Sequence, residues 1–95
     1  MKPSLRIEID PDLLDRLYEL GKRDRKELGD LIQEVRKGFG HPHLHTGTGI
    51  RDLAPGVYEC RRNLHQRLVF TAHKGYLYFH FLGNHEEVRR FLKSL

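Results

Sequence analysis

Apolar and charged residues alternate near the start of the chain. Leu5, Ile7 and Ile9 are separated by Arg6 and Glu8, the period-two pattern of a strand with one buried face. The spacing then lengthens. Leu13, Leu14, Leu17, Tyr18 and Leu20 predict one apolar stripe on a helix, with Asp10 as its N-cap, Pro11 at its first position and Gly21 at its end. Leu28, Leu31, Ile32 and Val35 fall at i, i+3, i+4 and i+7 and predict a second helix. Asp24 and Glu27 form a capping-box pattern at its start, and Gly38 stops it. The interior Gly29 weakens this helix by about 1 kcal/mol relative to alanine. The two helices read as a hairpin that lays both stripes on a common sheet.

From Pro55 onward the pattern is that of strands. "GVYECRR" and "QRLVFTAH" flank "NLH", and "GYLYFHFL" follows the turn residues "HKG", which predicts three antiparallel strands joined by tight hairpins. "NHEEVRRFLKSL" closes the chain as a helix, with a capping box at Asn84 and Glu87 and an apolar face of Val88, Phe91, Leu92 and Leu95. The order is β-α-α-β-β-β-α. It predicts an α+β fold in which a small antiparallel sheet packs against an N-terminal helical hairpin, with a C-terminal helix. The 95 residues contain no repeat or long linker and are expected to form one domain over residues 1–95.

Composition narrows the function classes. There are 17 Lys+Arg against 13 Asp+Glu, a net charge of +4, which points to a polyanionic partner with nucleic acid first in line. No apolar run approaches the roughly 20 residues that cross a bilayer, and "MKPSLRIEID" is too polar for the apolar segment of a signal peptide. A cytoplasmic protein without a membrane partner is the expectation. Cys60 is the single cysteine, so no internal disulfide and no Cys-x-x-Cys metal site is available.

Candidate chemistry concentrates on the hairpin "VYECRRNLHQRLVF". Alternation puts Val57, Glu59 and Arg61 on one face, and Tyr58 and Cys60 on the other. With "NLH" as the loop, Arg61 lies across from Arg67; a two-residue loop would instead pair Arg62 with Arg67. Either register opposes two guanidinium groups, which is destabilising unless an anion neutralises them. Glu59 can supply part of that neutralisation, and a phosphate matches paired arginine forks. His85 follows the cap residue Asn84, at a helix start, and imidazole can give or take a proton near neutrality. Upstream, His41, His43 and His45 alternate in a Gly/Thr/Pro-rich stretch. His-x-His can chelate zinc or nickel, but Pro42 and the nearby glycines argue for a loop, and no adjacent Cys, Asp or Glu completes a shell. Histidines beside a substrate phosphate and a simple solvated loop are the other readings, and no metal is expected. Residues 47–49, "GTG", can offer backbone N–H groups to a phosphate. Tyr76, Tyr78, Phe79 and Phe81 read mainly as core.

The whole arrangement resembles the RelE/ParE superfamily of bacterial toxins. The resemblance runs from "LRIEIDPDLLDRLYELGKR" and "LIQEVRKG" through "LAPGVYECRR" to "QRLVF", which is similar to the family's Tyr/His-Arg-Leu-Val-Tyr strand, and on to "YLYFHFLG" and "NHEEVRRFL". It implies the toxin component of a toxin–antitoxin system: an endoribonuclease (mRNA interferase) that cleaves mRNA, often on the ribosome, without metal or cofactor, and that is neutralised by a cognate antitoxin protein. By position it implies that Arg67 contacts the scissile phosphate and that Arg61 is a second basic active-site residue. His85 falls where members carry a catalytic arginine or histidine. Phe91 falls where some members have a tyrosine and the YafQ-like branch has phenylalanine. His43 or His45 matches a loop histidine of that branch, which with Phe91 makes the implied substrate-binding set. Glu59 departs from the pattern, since RelE-like members have lysine there; the resemblance implies Glu59 or a loop histidine as the acid–base partner of His85. The alternatives left open are a ParE-like toxin acting on DNA gyrase, a member that binds RNA without cleaving it, and a histidine-loop metalloprotein.

Overall fold

The computed structural model describes residues 5–40 and 49–95. The chain runs through β1 (Arg6–Ile9), α1 (Pro11–Glu19), α2 (Lys22–Gly38), β2 (Arg51–Ala54), β3 (Val57–Arg61), β4 (Arg67–His73), β5 (Tyr76–Gly83) and α3 (His85–Lys93). The strands form one sheet in the order β1-β5-β4-β3-β2. The α+β class, the N-terminal helical hairpin and the C-terminal helix are as expected from sequence.

Two features of the sheet differ from the expectation. It is mixed rather than antiparallel throughout, because β1 pairs parallel with β5, Arg6 opposite Tyr76 and Ile9 opposite Phe79. It also contains an additional edge strand, β2, paired antiparallel with β3 and irregular between Asp52 and Ala54. "RDLA" carries no apolar alternation, since an edge strand exposed along most of its length has little to bury.

The core lies between the helical hairpin and one face of the sheet. Leu13 and Leu17 of α1 and Leu28, Ile32 and Val35 of α2 meet Cys60, Leu68, Phe70, Leu77, Phe79 and Leu82. Phe70 tilts against Phe79 and stacks on Tyr58, with Phe39 edge-on to both Tyr58 and Phe70, the offset and edge geometries that aromatic quadrupoles favour. The predicted stripe of α1 is narrower than its sequence suggests. Leu14 and Tyr18 are exposed, because a nine-residue helix lying on a sheet buries only one row of side chains.

Helix starts follow local chemistry in two cases and not in the third. Asp10 caps α1 through bonds from the Asp12 and Leu13 amides, and Asn84 and Glu87 close the expected capping box on α3. The helix α2, by contrast, begins at Lys22 with Gly21 as an N-cap that offers no side-chain bond. Asp24 and Glu27 therefore lie inside the helix and form no capping box; both turn to Arg62.

The opposite face of the sheet carries α3. The register of β4 against β5 slips between Val69 and Phe70, leaving His80 as the extra residue. This bulge rotates Phe81 away from the main core, and Phe81 stacks on Phe91 of α3 with centroids 4.8 Å apart. Val69, the β4 partner of Phe81, and Val88 of α3 are also buried. Gly83 has to be glycine for α3 to approach: a Cβ there would stand 2.6 Å from the Phe81 ring and 2.9 Å from Glu87 Cβ. Beyond the end of β1, Arg16 of α1 donates to the Leu82 carbonyl and so covers part of the exposed edge of β5. Among the described residues, no helix is long and apolar enough to cross a membrane.

Candidate functional site

The β3–β4 hairpin adopts the register of the longer loop. Arg61 is the Cα partner of Arg67, Cys60 of Leu68 and Glu59 of Val69, and the Arg62 amide donates to the Gln66 carbonyl at 3.0 Å. The Asn63 side chain accepts from the His65 and Gln66 amides at 2.8 and 2.9 Å, an Asx turn that satisfies the loop backbone. Two arginines thus oppose each other at the open end of the hairpin.

Neutralisation of one of them, Arg67, is built into the sheet. The Glu59 carboxylate is buried, with 4% of the residue exposed. Its Oε1 lies 3.0 Å from Arg51 Nη2 and 3.4 Å from Arg67 Nε. The second contact is an ion pair without hydrogen-bond alignment, and among the described residues Arg67 Nε is a buried donor with no hydrogen-bond acceptor. Arg67 is mostly buried, whereas the Arg51 side chain is 59% exposed. Arg61 is exposed and makes no side-chain hydrogen bond or ion pair with any described residue. Gly49 runs beside it: a Cβ at Gly49 would stand 3.3 Å from Arg61 Cβ, and Gly49 holds a φ of +62°, which favours glycine.

The remaining candidates stand around α3. Gly83 is the β5 partner of Arg67, and His85 follows two residues later as the first residue of α3. His85 is exposed, and among the described residues no hydrogen bond, ion pair or ring contact joins it to Arg61, Arg67 or Glu59. Phe91, two turns further on, lines a cleft of about 360 Å³ with Phe81, Glu87 and Arg90. The structure therefore brings Glu59 and Arg67 into contact, sets Arg61 opposite Arg67, and leaves His85 and Phe91 as separate positions on the helix above them. His43 and His45, with His41, lie outside the described residues. Among the described residues no group of three or more His, Cys, Asp or Glu side chains is arranged to hold a metal.

Three groups escaped the sequence reading. Arg51 joins Glu59 from β2, and its only signal was a charge on a short unpatterned segment. Arg62 leaves the phosphate face altogether: Nη2 donates to Asp24 Oδ1 at 2.7 Å and to Glu27 Oε2 at 3.0 Å, and Nη1 to Gln66 Oε1. The third group lies near the turn between β4 and β5. The Thr71 hydroxyl meets the Nε2 atoms of His73 and His80 at 2.8 and 2.9 Å. Burial pushes the His80 imidazole down from its ordinary pKa, His73 adds to that shift, and Asp10 opposes it. The Tyr78 phenol is pushed up by desolvation and by Asp10, to which its hydroxyl donates at 3.3 Å. This cluster is separated from Arg67 along β4 by the buried Val69.

Neither a family model nor a curated protein sequence matches the chain. Solved structures do. The archaeal RelE–RelB complex of Pyrococcus horikoshii OT3 superposes with a TM-score of 0.68 at 12% identity, over 86% of this chain and 96% of that one. The YoeB–YefM complex of Staphylococcus aureus gives 0.61 at 22% identity, over 87% and 99%. The E. coli toxin RelE in complex with a peptide of the antitoxin RelB gives 0.61 at 19% identity, over 98% and 96%. With near-complete coverage on both sides, these likenesses establish that the chain carries the RelE-like toxin fold.

Proposed function

We propose that this chain is the toxin of a toxin–antitoxin pair and that it cleaves mRNA as a metal-independent endoribonuclease, working on the ribosome. The observation that supports this most is the opposition of Arg61 and Arg67 across β3 and β4, with the Glu59 carboxylate against Arg67 and the Arg61 guanidinium unpaired among the described residues. An unpaired guanidinium beside one already held in place suits a phosphate oxygen pair.

In the proposed reaction the RNA 2′-oxygen attacks the adjacent phosphorus and the bond to the 5′-oxygen breaks. The products are a 2′,3′-cyclic phosphate and a 5′-hydroxyl. A base takes the 2′-OH proton and an acid returns one to the leaving 5′-oxygen. Arg61 and Arg67 stabilise the charge that gathers on the non-bridging oxygens. His85, exposed at the start of α3, takes an acid–base role. Glu59 is engaged by two guanidiniums, which favours it as the group that orients Arg67 over the role of base. The loop histidines His43 and His45 are then the remaining partners for His85, and Phe91 with Phe81 offers a stacking surface for a base. The antitoxin follows from the E. coli neighbour's complex: a segment with acidic character laid over the basic face would block it.

The test is cleavage of mRNA on translating ribosomes, with the new ends mapped chemically. Arg67→Ala is expected to lose about 100- to 1,000-fold in rate, the worth of one preorganised donor, and His85→Ala to lose about 100-fold or more. A 2′-deoxy substitution at the cut site abolishes the reaction. Unchanged cleavage and unchanged toxicity in both variants overturn the assignment. A second reading, RNA binding without cleavage, is favoured by the lack of any bond between His85 and the arginines; binding by a wild-type chain that never cuts would support it. Filamentation and DNA damage with translation intact would instead support action on gyrase.

A further inference from the structure

The sequence "RR" at 61–62 presents two adjacent arginines, and strand alternation sends them to different partners. Arg61 stays on the face shared with Arg67, whereas Arg62 is drawn to α2. Its side chain is only 13% exposed, and both carboxylates that hold it stand one helical turn apart on α2. Among the described residues, the ion pairs that join α2 to the sheet all run through this guanidinium. The same side chain reaches Gln66 across the hairpin loop, and its backbone amide bonds the Gln66 carbonyl. Arg62 therefore grips both ends of the loop and the helix together. Two carboxylates neutralise it, which removes it from the count of cations that face substrate. A cleft of about 350 Å³, lined by Glu27, Asp30, Leu31, Arg61, Arg62 and Asn63, separates helix from hairpin beside this contact, so packing alone does not fill the space there.

We propose that Arg62 is a positioning residue for the phosphate site: by bridging Asp24 and Glu27 to Gln66 it holds the end of the hairpin on which Arg61 and Arg67 stand opposed. The inference rests on the nuclease reading above. Its physical basis is the repulsion between those two arginines. Like charges directly opposite push a strand pair apart, and the open end of a hairpin is where it yields first. A planar fork that bonds three acceptors resists that opening, and a lysine ammonium, a point charge on a flexible stem, does not reproduce it. Displacement of a catalytic group by about 1 Å is enough to cost on the order of 100-fold in rate.

The experiment measures single-turnover cleavage of ribosome-bound mRNA, and separately the affinity for an uncleavable 2′-deoxy-substituted RNA. The variants are Arg62→Ala, Arg62→Lys and the double variant Asp24→Asn with Glu27→Gln; Glu34→Gln, an exposed α2 change, serves as the control. Arg62→Ala and Arg62→Lys are expected to cleave about 100-fold more slowly with RNA affinity within about threefold of wild type. The double variant is expected to fall in the same direction and Glu34→Gln to match wild type. Added guanidinium restores part of the Arg62→Ala rate. A folded Arg62→Ala chain that cleaves at the wild-type rate overturns the proposal. So does a parallel loss of affinity and rate with a salt slope reduced by about one phosphate contact, which would make Arg62 a substrate ligand. Should Arg62→Ala fail to fold, the double variant, which keeps Arg62, decides by the same criteria. A wild-type chain that does not cleave overturns the nuclease reading itself and this inference with it, whereas active wild type with unaffected variants overturns the inference alone.

Discussion

Removal of the Glu59 carboxylate tests how the arginine pair is held. Glu59→Ala leaves two guanidiniums without their common anion, and the cost of each follows from its exposure. Arg51 is 59% exposed, so its ion pair with Glu59 is screened and contributes under about 1 kcal/mol. Arg67 is 17% exposed and stands 3.4 Å from Glu59 Oε1 with its Nε buried. Loss of the only described anion near a buried charged donor costs about 1–3 kcal/mol. The sum is a loss of about 1–4 kcal/mol. In a chain of 95 residues each kcal/mol of that loss lowers the melting temperature by roughly 4–8 °C. Thermal unfolding followed by circular dichroism measures the loss, and double-mutant cycles apportion it. The Arg67–Glu59 coupling is expected at about 1–3 kcal/mol and the Arg51–Glu59 coupling below about 1 kcal/mol. Glu59→Gln keeps an acceptor and is expected to cost about half as much as alanine. Two results refute the reasoning: a Glu59→Ala protein as stable as wild type, or an Arg51 coupling larger than that of Arg67. Either would mean that Glu59 is not the anion that holds Arg67.

Other consequences follow from single features of the fold. Burial, and then the charge of Glu59, push the Cys60 thiol up from 9.0 to about 12, so a thiol reagent at pH 8 is expected to label native protein only as fast as the chain opens; rapid labelling without denaturant would contradict the buried position. Asn84→Ala removes one half of the α3 capping box and is expected to cost about 1 kcal/mol, read from denaturant midpoints. His80 has a folded-state pKa below its ordinary 6.5, so protonation favours the unfolded chain. Its contribution is complete above about pH 6.5 and is lost as pH falls through the folded value, and His80→Gln is expected to flatten the decline in stability between pH 7 and 5.

What the sequence made legible was local, and what it hid depended on distant partners. The Asp10 cap and the Asn84–Glu87 box are contacts within one helical turn, so residue order suffices to foresee them. The same logic misread Asp24 and Glu27. The spacing of a capping box is also the spacing of two acceptors on one helix face, and only tertiary structure reveals that Arg62, 35 or more positions away, claims both. The opposition of Arg61 and Arg67 was readable because hairpin register depends on loop length. The pairing of β1 with β5 was not, because nothing local to either strand specifies a neighbour about seventy positions away along the chain. The bulge at His80 shows the limit of periodicity most directly. "YLYFHFLG" places Leu77, Phe79 and Phe81 on one face by strict alternation, yet one unpaired residue turns Phe81 to the other. That rotation is what allows Phe81 to stack on Phe91 and seat α3 over the sheet, which in turn fixes where His85 begins. The position of the candidate acid–base residue relative to the arginines thus depends on an irregularity that no pattern in the strand announces. A substitution that restores regular pairing at His80 should therefore disturb α3 before it disturbs the main core.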